Sequence, residues 1–295
     1  MAGDRTYGSP QAFRAALTAR LRAEAETSRW SLPELQRQFS YDRLLERLYR
    51  TDQGWIVKGA AALLARRLSL RATVDVDLYR QAATDAAEED LRGAADLELG
   101  DWFRLEVGRG LPLTGGGIAL PVTAYIGQTQ WARYKVDLVG SDFRMTDEPE
   151  PVPPLADIDI PDVEQHGYRA YPLVDHVADK IAATFERYGP AESPSSRYKD
   201  LIDLVAIVKG ASVSAQAQMA AVASEATRRG IMLPDRFTVP DLAGWQKGYG
   251  ASAKKWRLEE AKTLDEALAI VRPFIDPILE GTATGRWNPA LGEWA

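Results

Sequence analysis

The sequence predicts an α/β fold, a mixed sheet with flanking helices, followed by a helical C-terminal domain. Short β-branched segments in which apolar and polar residues alternate recur between residues 55 and 139. Apolar residues at helical spacing dominate after residue 172. An acidic, proline-rich segment, residues 141–164, separates the two and is interpreted as a linker. We therefore expect an α/β domain with N-terminal helices over residues 1–165 and a helical domain over residues 166–295.

Two helices open the chain. Residues 10–28 place apolar side chains at helical spacing, namely Phe13, Leu17 and Leu21. A second helix begins after Ser31, because Ser31 and Glu34 have the spacing of a capping box and Pro33 stands in the first turn. Its buried stripe is predicted to consist of Leu35, Phe39, Leu45 and Leu48.

The α/β region continues with alternating strands and helices. The apolar residues 55–57 predict a strand, Lys58 and Gly59 a turn, and the alanine-rich residues 60–68 a helix. Residues 72–79 alternate and predict the next strand. A polar helix is then expected over residues 80–96, followed by three strands over residues 102–107, 118–126 and 132–139.

Beyond the acidic segment every predicted element is a helix. Pro172 begins one helix, and residues 197–209 form the next. Gly230 is a typical C-terminal stop, and Thr263 with Glu266 forms a second capping box. The remaining helices are predicted at about residues 212–229, 240–262 and 263–279.

Composition excludes several functional classes. The chain has 295 residues, of which 45% are hydrophobic and 26% charged, a balance that excludes a disordered chain. The absence of cysteine excludes a disulfide scaffold, a thiolate zinc site and a cysteine nucleophile, and only two histidines argue against a multi-histidine metal site. No stretch approaches the roughly 20 apolar residues of a membrane span, and the first residues lack a secretory pattern. We expect a soluble cytoplasmic protein with no membrane partner.

The net charge of −6 is unevenly distributed. Residues 141–164 contain eight acidic residues and one arginine, whereas residues 196–262 contain eleven basic and seven acidic residues. The acidity is therefore local, and the basic region is compatible with a nucleic-acid partner. Ordinary solvated helix faces explain the same basic residues equally well.

The most informative motif is Asp75-Val76-Asp77 on the predicted strand. Side chains two residues apart on a strand point to the same face, so the two carboxylates repel each other. Protonation of one carboxylate, or a cation between them, relieves this repulsion. Asp137 lies on the polar face of its own strand, and three carboxylates on neighbouring strands could hold two Mg²⁺ ions for phosphoryl chemistry. Taken alone, an Asp-x-Asp pair on a strand is more often a solvated edge than a metal site.

A glycine turn precedes this motif. Lys58 and Gly59 lie between a strand and a helix, where glycine allows backbone amides to approach a phosphate. Many strand-to-helix turns contain glycine without binding anything. The spacing strengthens the signal, because the stretch between Gly59 and Asp75 leaves room for one helix and a return strand.

In the C-terminal region, Lys180, Asp200 and Asp203 form a second candidate group. Asp200 and Asp203 share one helix face because they are three residues apart. Spacing alone favours a cross-helix ion pair between Lys180 and one of them, with Lys199 and Asp203 pairing locally. The functional alternative places Lys180 on the phosphates of a nucleotide and Asp200 as the carboxylate that positions it.

Together these motifs resemble the AbiEii/AbiGii toxin family, a branch of the polymerase-β-like nucleotidyltransferases to which the mycobacterial MenT toxins belong. The first family motif is similar to residues 57–63 continued by residues 71–78, and the second to residues 135–137. The third is similar to residues 178–181 and the fourth to residues 197–204. Four motifs in the same order are far more specific than any one of them.

The resemblance implies a nucleotidyltransferase fold and a magnesium-dependent enzyme. It implies Mg²⁺ at Asp75 and Asp77, and a role for Lys180 and Asp200 in nucleotide binding or catalysis. With Asp137, the third carboxylate expected from strand alternation, these residues are the predicted catalytic and metal-binding set. The family's second glycine and following hydroxyl residue are replaced by alanines, and Thr73 stands where the family usually has serine. The nucleotide-binding residues expected on this basis are Lys58, Gly59, Thr73 and Lys180.

The resemblance also implies partners. A cognate AbiEi-like antitoxin is expected, and characterised relatives transfer a nucleotide, often a pyrimidine from CTP or UTP, to the 3′ acceptor end of tRNA. Such transfer would block translation and growth. Two alternatives stay open: NTP-dependent modification of a protein hydroxyl or kinase activity, and a non-catalytic nucleotide-sensing or antitoxin-binding module.

Overall fold

The chain forms two units in the computed structural model, which describes residues 6–114, 116–140 and 144–295. The first unit comprises Met1–Arg66, Ala72–Arg144 and Glu150–Ala170. The second comprises Arg67–Arg71, Met145–Pro149 and Tyr171–Ala295. Two short segments that interrupt the first unit in sequence thus belong to the second.

A mixed sheet is the centre of the first unit. Within its described residues the strands are β1 (Trp55–Lys58), β2 (Asp75–Arg80), β3 (Phe103–Val107), β4 (Leu111–Pro112), β5 (Ile118–Ile126), β6 (Thr129–Val139), β7 (Glu150–Val152) and β8 (Tyr168–Ala170). They pair in the order β3-β5-β6-β2-β1-β8-β7, and β4 pairs with β5. β2 is parallel to β6 and antiparallel to β1. The predicted mixed sheet is confirmed.

Four helices complete the first unit: α1 (Pro10–Thr27), α2 (Leu32–Thr51), α3 (Gly59–Ala65) and α4 (Thr84–Ala95). The predicted capping box opens α2, where the Ser31 amide donates to the Glu34 carboxylate at 2.8 Å. The apolar stripes predicted for α1 and α2 are buried in the core. α1 therefore buries one apolar face, whereas residues 38–49 of α2 are buried on all sides.

Alternation along the central strands gives the sheet two different faces. One face carries apolar side chains that are completely buried, among them Val76, Leu78, Val136 and Leu138. The other, called here the polar face, carries Asp75, Asp77, Lys135 and Asp137, none of which is fully buried. The apolar face fixes the register, because a slip by one residue would bury the charges and expose the core.

The linker interpretation of residues 141–164 is wrong from residue 150 onwards; residues 141–143 lie outside the described residues. Glu150–Val152 pairs with β8, and Leu155 and Ile160 are buried in the core of the first unit. The amides of Leu155 and Ala156 both donate to the Asp42 carboxylate at 2.8 Å. The proline-rich composition suggested a linker, but buried apolar side chains such as Leu155 and Ile160 pack this segment onto the first unit.

The second unit is helical, as predicted. Its helices are α5 (Leu173–Phe185), α6 (Tyr198–Gly210), α7 (Ala215–Arg229), α8 (Leu242–Lys255) and α9 (Leu264–Leu279). Gly230 ends α7 in the left-handed conformation, with φ 64°, and a Thr263–Glu266 capping box opens α9. In the described part of the chain, none of the helices has the length and apolarity that crossing a membrane would require.

Two small hairpins were not predicted from the sequence. They consist of β9 (Arg187–Tyr188) with β10 (Ser193–Pro194), and β11 (Trp287–Asn288) with β12 (Glu293–Trp294). Two-residue strands are too short to show alternation. The second hairpin is held by aromatic packing, because the rings of Trp287 and Trp294 lie 5.0 and 4.9 Å from the ring of Phe274.

A buried charge network fixes α2 to the segment that leads into β3. Arg47 donates two hydrogen bonds of 2.9 Å to the Asp101 carboxylate, and Arg43 adds a third contact at 3.4 Å. All three side chains are at most 2% exposed. A bidentate pair with this degree of burial is sensitive to the loss of either partner.

We expect Asp101→Ala to lower the free energy of unfolding by about 3–5 kcal/mol, because two arginines would be left buried without their carboxylate. Urea unfolding of the purified protein measures this. Glu106→Ala is the matched control, since it removes an ion pair with Arg104 in which both side chains are at least half exposed. A control effect as large as that of Asp101→Ala would contradict the argument from burial.

Candidate active site

The sheet register brings the three predicted carboxylates onto one face. Asp77 on β2 lies directly opposite Asp137 on the parallel strand β6, and Asp75 lies opposite Lys135. Lys58 on β1 lies opposite Asp77 on the other side. Neighbouring strands are about 4.8 Å apart, so these side chains are adjacent. Asp75, Asp77 and Asp137 are called the carboxylate cluster below.

Lys135 lies among these carboxylates. Its Nζ is 2.9 Å from Oδ2 of Asp137 and 3.7 Å from Oδ1 of Asp75. The hydrogen bond to Asp137 raises the pKa of Lys135 despite some loss of hydration, and the charges of Asp75 and Asp77 act in the same direction. Lys135 is therefore a cation at neutral pH and offsets part of the repulsion within the cluster.

The cluster fits a divalent metal in its donor chemistry. Oδ1 of Asp137 is buried and has no hydrogen-bond partner within the described part of the chain. A buried carboxylate oxygen without a donor is costly unless a cation binds it. Carboxylate oxygens are also the ligands that Mg²⁺ prefers.

The side chains nevertheless do not converge. Among residues 6–114, 116–140 and 144–295, no three acidic or histidine side chains form a group that could hold a metal ion. Because the register fixes the backbone of Asp75, Asp77 and Asp137 on adjacent strands, convergence involves side-chain rotation rather than a change in the sheet. The ammonium group of Lys135 contacts two of the three carboxylates, Asp75 and Asp137.

Position 59 requires a glycine because its backbone lies against the carboxylate cluster. It begins α3 with φ +56°, a conformation that favours glycine. A Cβ at this position would overlap the Asp77 carboxylate. The sequence predicted a glycine that lets a phosphate approach; the structure shows a glycine that lets Asp77 approach. Phosphate binding by Lys58 and Gly59 stays a prediction.

Thr73 lies just before β2, which begins two residues later, at Asp75, rather than at residue 72 as predicted. Its hydroxyl donates to the Asp75 carbonyl oxygen at 3.1 Å, and the Asp75 amide approaches the same hydroxyl at 3.3 Å. The hydroxyl of Tyr41 donates to the Thr73 carbonyl oxygen at 3.1 Å. Thr73 therefore shapes the start of the strand that carries Asp75 and Asp77.

A second charge group, called here the lysine network, lies in the second unit. Nζ of Lys180 on α5 is 2.8 Å from Asp200 and 2.7 Å from Asp203, both on α6. Asp203 also accepts two hydrogen bonds from Arg71, at 2.8 and 2.7 Å, and Asp200 pairs with Arg197. The ion pair expected from spacing is present, but Asp203 pairs with Lys180 and Arg71 rather than locally.

Sequence reasoning missed the part played by Arg71 and Asp203. The spacing of Asp203 from Asp200 was a usable signal, because residues three apart share a helix face. Arg71 gave no such signal, since 132 residues separate it from Asp203. Only the fold, which places residues 67–71 in the second unit, brings the two together.

Burial and pairing set the charges of this network. Burial by itself would lower the pKa of Lys180, but Asp200 and Asp203 outweigh this and raise it. Burial would likewise raise the pKa of Asp200, but Lys180 and Arg197 bring it well below its usual range. Lys180 and Asp200 are therefore both charged at neutral pH.

A mixed sheet with aspartates in register on neighbouring strands, followed by a helical unit with a buried lysine, has the features of a nucleotidyltransferase. Residues 43–292 match the family described as nucleotidyl transferase AbiEii toxin, type IV TA system. The chain belongs to this family, as the order of its motifs predicted.

Two solved structures have a similar fold. MenT4, a nucleotidyltransferase toxin from Mycobacterium tuberculosis, is 16% identical with a TM-score of 0.52, and the match covers 86% of this chain and 99% of that one. JHP933 from Helicobacter pylori is 15% identical with a TM-score of 0.50, covering 83% and 94%. At these identities the likeness shows the fold alone. No curated protein matches the sequence.

Membership of the family gives the protein its general function. It is a nucleotidyltransferase toxin with a nucleotide substrate and an antitoxin partner. The enzyme class predicted from the motifs is thereby confirmed. The finer details of metal, acceptor and nucleotide are proposals, given below.

We expect Gly59→Ala to lower the melting temperature and to displace the Asp77 carboxylate, because the new Cβ overlaps it in a backbone conformation that favours glycine. Thermal unfolding and a crystal structure of the variant measure the two effects. Gly93→Ala is the control, since an added Cβ there meets nothing within 4 Å and Gly93 lies inside α4. That substitution should be neutral or stabilising by about 0.5–1 kcal/mol. Equal melting temperatures for the two variants would contradict this role of Gly59.

We expect Asp200→Asn to destabilise the protein by about 3 kcal/mol at pH 7, because Lys180 and Arg197 lose a buried partner. The pKa of Asp200 is lower in the folded state than in the unfolded chain, so its contribution is complete above about pH 5 and is lost on acidification. The difference between wild type and variant should therefore narrow as the pH falls from about 5 towards 3.

Urea unfolding at several pH values measures this narrowing. Asp265→Asn, at an exposed position in the first turn of α9, is the control. A difference between wild type and Asp200→Asn that stays constant down to pH 3 would show that charge pairing is not what Asp200 supplies.

Proposed function

We propose that this toxin is a magnesium-dependent enzyme that transfers a nucleotide from an NTP to the 3′ acceptor end of tRNA, and thereby blocks translation and growth. The observation that carries the proposal is the register of β2 and β6, which sets Asp77 opposite Asp137 with Asp75 on the same face. The orphaned buried oxygen of Asp137 supports metal binding at this cluster.

In the proposed reaction the 3′-hydroxyl oxygen of the RNA attacks the α-phosphorus of the NTP. A bond forms between these atoms, the bond from the α-phosphorus to the oxygen that bridges to the β-phosphate breaks, and diphosphate leaves with that electron pair. A carboxylate of the cluster accepts the hydroxyl proton and passes it to solvent. Bound Mg²⁺ would lower the pKa of the attacking hydroxyl and neutralise charge on the diphosphate.

We assign Lys180 to the phosphates of the nucleotide and Asp200 to the position of Lys180. A buried ammonium group held by two carboxylates keeps both its charge and its place, which phosphate binding requires. Lys58, Gly59 and Thr73 are likewise proposed as nucleotide-binding residues. In this structure the Thr73 hydroxyl is engaged with the backbone of Asp75, so a phosphate would have to replace that contact.

Charge on α8 and the residues after it supports an RNA acceptor. Lys247, Lys254, Lys255 and Arg257 are all exposed. Lys255 also lies over the ring of Trp256, at 4.8 Å from its centroid. By contrast, Arg228 and Arg229 on α7 pair with Glu225, so their charges are offset. The phosphate backbone of an acceptor stem is the partner that such exposed cations bind.

The remaining partners follow from the family resemblance. CTP and UTP are the nucleotides that we propose, and an AbiEi-like antitoxin is the proposed neutralising partner. Since tRNA is the proposed acceptor, the cytoplasm is the proposed place of action.

Incubation with total tRNA, Mg²⁺ and each NTP in turn, radiolabelled at the α- or the γ-phosphate, tests the proposal. We expect α-label at the 3′ end of tRNA, with CTP or UTP as the better donor. Asp77→Asn should reduce the transfer rate by about 100-fold or more, because it weakens the electrostatic stabilisation of the reacting phosphate. Asp96→Asn, at an exposed residue after α4, is the matched control and should transfer normally.

Other outcomes identify the alternatives. Label from the γ-phosphate alone, on any acceptor, would establish a kinase. α-Label on protein rather than RNA would establish modification of a protein hydroxyl. Growth inhibition that survives Asp77→Asn, without transfer of any label, would establish a non-catalytic module.

A further inference from the structure

Lys135 is placed by the backbone at the centre of the carboxylate cluster. Asp75 is its register partner on β2, and Asp137 is two residues further along β6 on the same face. Its Nζ lies 2.9 Å from the Asp137 carboxylate and 3.7 Å from that of Asp75. The ammonium group therefore lies within ion-pairing distance of both carboxylates.

Ionic contacts rather than packing hold this side chain. Lys135 is 41% exposed, whereas Lys180, which also has two carboxylate partners, is 6% exposed. A half-exposed lysine has a long, flexible stem and water on one side, so it can leave its partners without opening the core. Asp137, at 19% exposed, is left with a buried oxygen that Lys135 does not satisfy.

We propose that Lys135 is a tethered cation, which neutralises the carboxylate cluster in the metal-free protein, competes with a divalent ion for Asp75 and Asp137, and is released when that ion binds. The proposal rests on the metal site of the proposed function, but not on the acceptor or the nucleotide. It explains why the three carboxylates share a face without converging: the ammonium group separates two of them.

Lys135 also affects how tightly the carboxylate cluster binds a metal ion. Without the charge of Lys135, the three carboxylates would bind divalent ions more strongly, even without substrate. With Lys135 among them, an ion has to displace a charge that is covalently attached and always present. Lys135 therefore keeps the affinity for free metal low, and it is a positioning residue rather than a catalytic one.

Titration of the full-length protein with Mn²⁺, followed by the electron paramagnetic resonance signal of the free ion, tests this. Lys135→Met removes the charge and keeps an unbranched apolar stem; we expect it to bind Mn²⁺ about 5- to 30-fold more tightly than wild type, the range for removing a unit charge a few ångströms away. Lys135→Arg keeps the charge and should stay within about twofold of wild type. The advantage of Lys135→Met should shrink as salt is raised.

Arg133→Met is the matched control. Arg133 lies two residues from Lys135 on the same strand and face, and it is exposed. We expect its loss to change the Mn²⁺ affinity by less than about twofold, because water and salt screen its charge. If Arg133→Met tightens Mn²⁺ binding as much as Lys135→Met does, the change in affinity comes from the net charge of the protein rather than from the position of Lys135. The proposal is then overturned.

Amine labelling of the wild-type protein gives a test that needs no variant. Limited acetylation followed by mass spectrometry should modify Lys135 several-fold faster with Mn²⁺ than without, because the ion frees the amine. The exposed Lys247 is the internal reference and should not change. Slower or unaltered labelling of Lys135, or unaltered or weaker Mn²⁺ binding by Lys135→Met, would overturn the proposal.

These experiments separate this inference from the proposed function. Tighter Mn²⁺ binding by Lys135→Met, without nucleotide transfer to tRNA by the wild type, would retain the tethered cation and reject the RNA reaction. Transfer to tRNA that is lost in Asp77→Asn, with no change of Mn²⁺ affinity in Lys135→Met, would retain the reaction and reject the tethered cation.

Discussion

Repulsion between like charges on adjacent strands is the constraint around which the candidate active site is built. The parallel pairing of β2 with β6 sets Asp77 opposite Asp137, and the alternation of each strand adds Asp75 to the same face. This arrangement is unfavourable unless a cation is present. The buried apolar residues on the opposite face hold the register, and Lys135 supplies positive charge where the carboxylates meet.

Two kinds of charge pairing serve different purposes in this protein. The networks of Arg47 with Asp101 and of Lys180 with Asp200 are almost completely buried, so each partner depends on the other for solvation. Lys135 and Asp75 are both about two-fifths exposed, so water reaches both charged groups. The buried pairs thus hold their charged groups in fixed positions, whereas the half-exposed Lys135 is the group that we propose a divalent ion displaces.

Gly59, at the turn before α3, has one role predicted from the sequence and another that the structure shows. A glycine between a strand and a helix is typical of phosphate-binding loops, and the sequence predicts that role for Gly59. The structure shows a separate reason for glycine at position 59, because any side chain there would displace Asp77. The two roles are compatible, since both depend on a backbone that others can approach closely.

The sequence by itself determined the order of the helices and of the longer strands, the family and the face on which each candidate carboxylate lies. Strand alternation and helix periodicity are local, so the residue pattern alone places Asp75, Asp77 and Asp137 on polar faces. Their pairing in register, the position of Lys135 among them and the contact of Gly59 with Asp77 depend on which strands are neighbours. The pairing of Arg71 with Asp203 and the packing of residues 150–160 needed the tertiary structure as well, because contacts between distant residues leave no periodic trace in a single sequence.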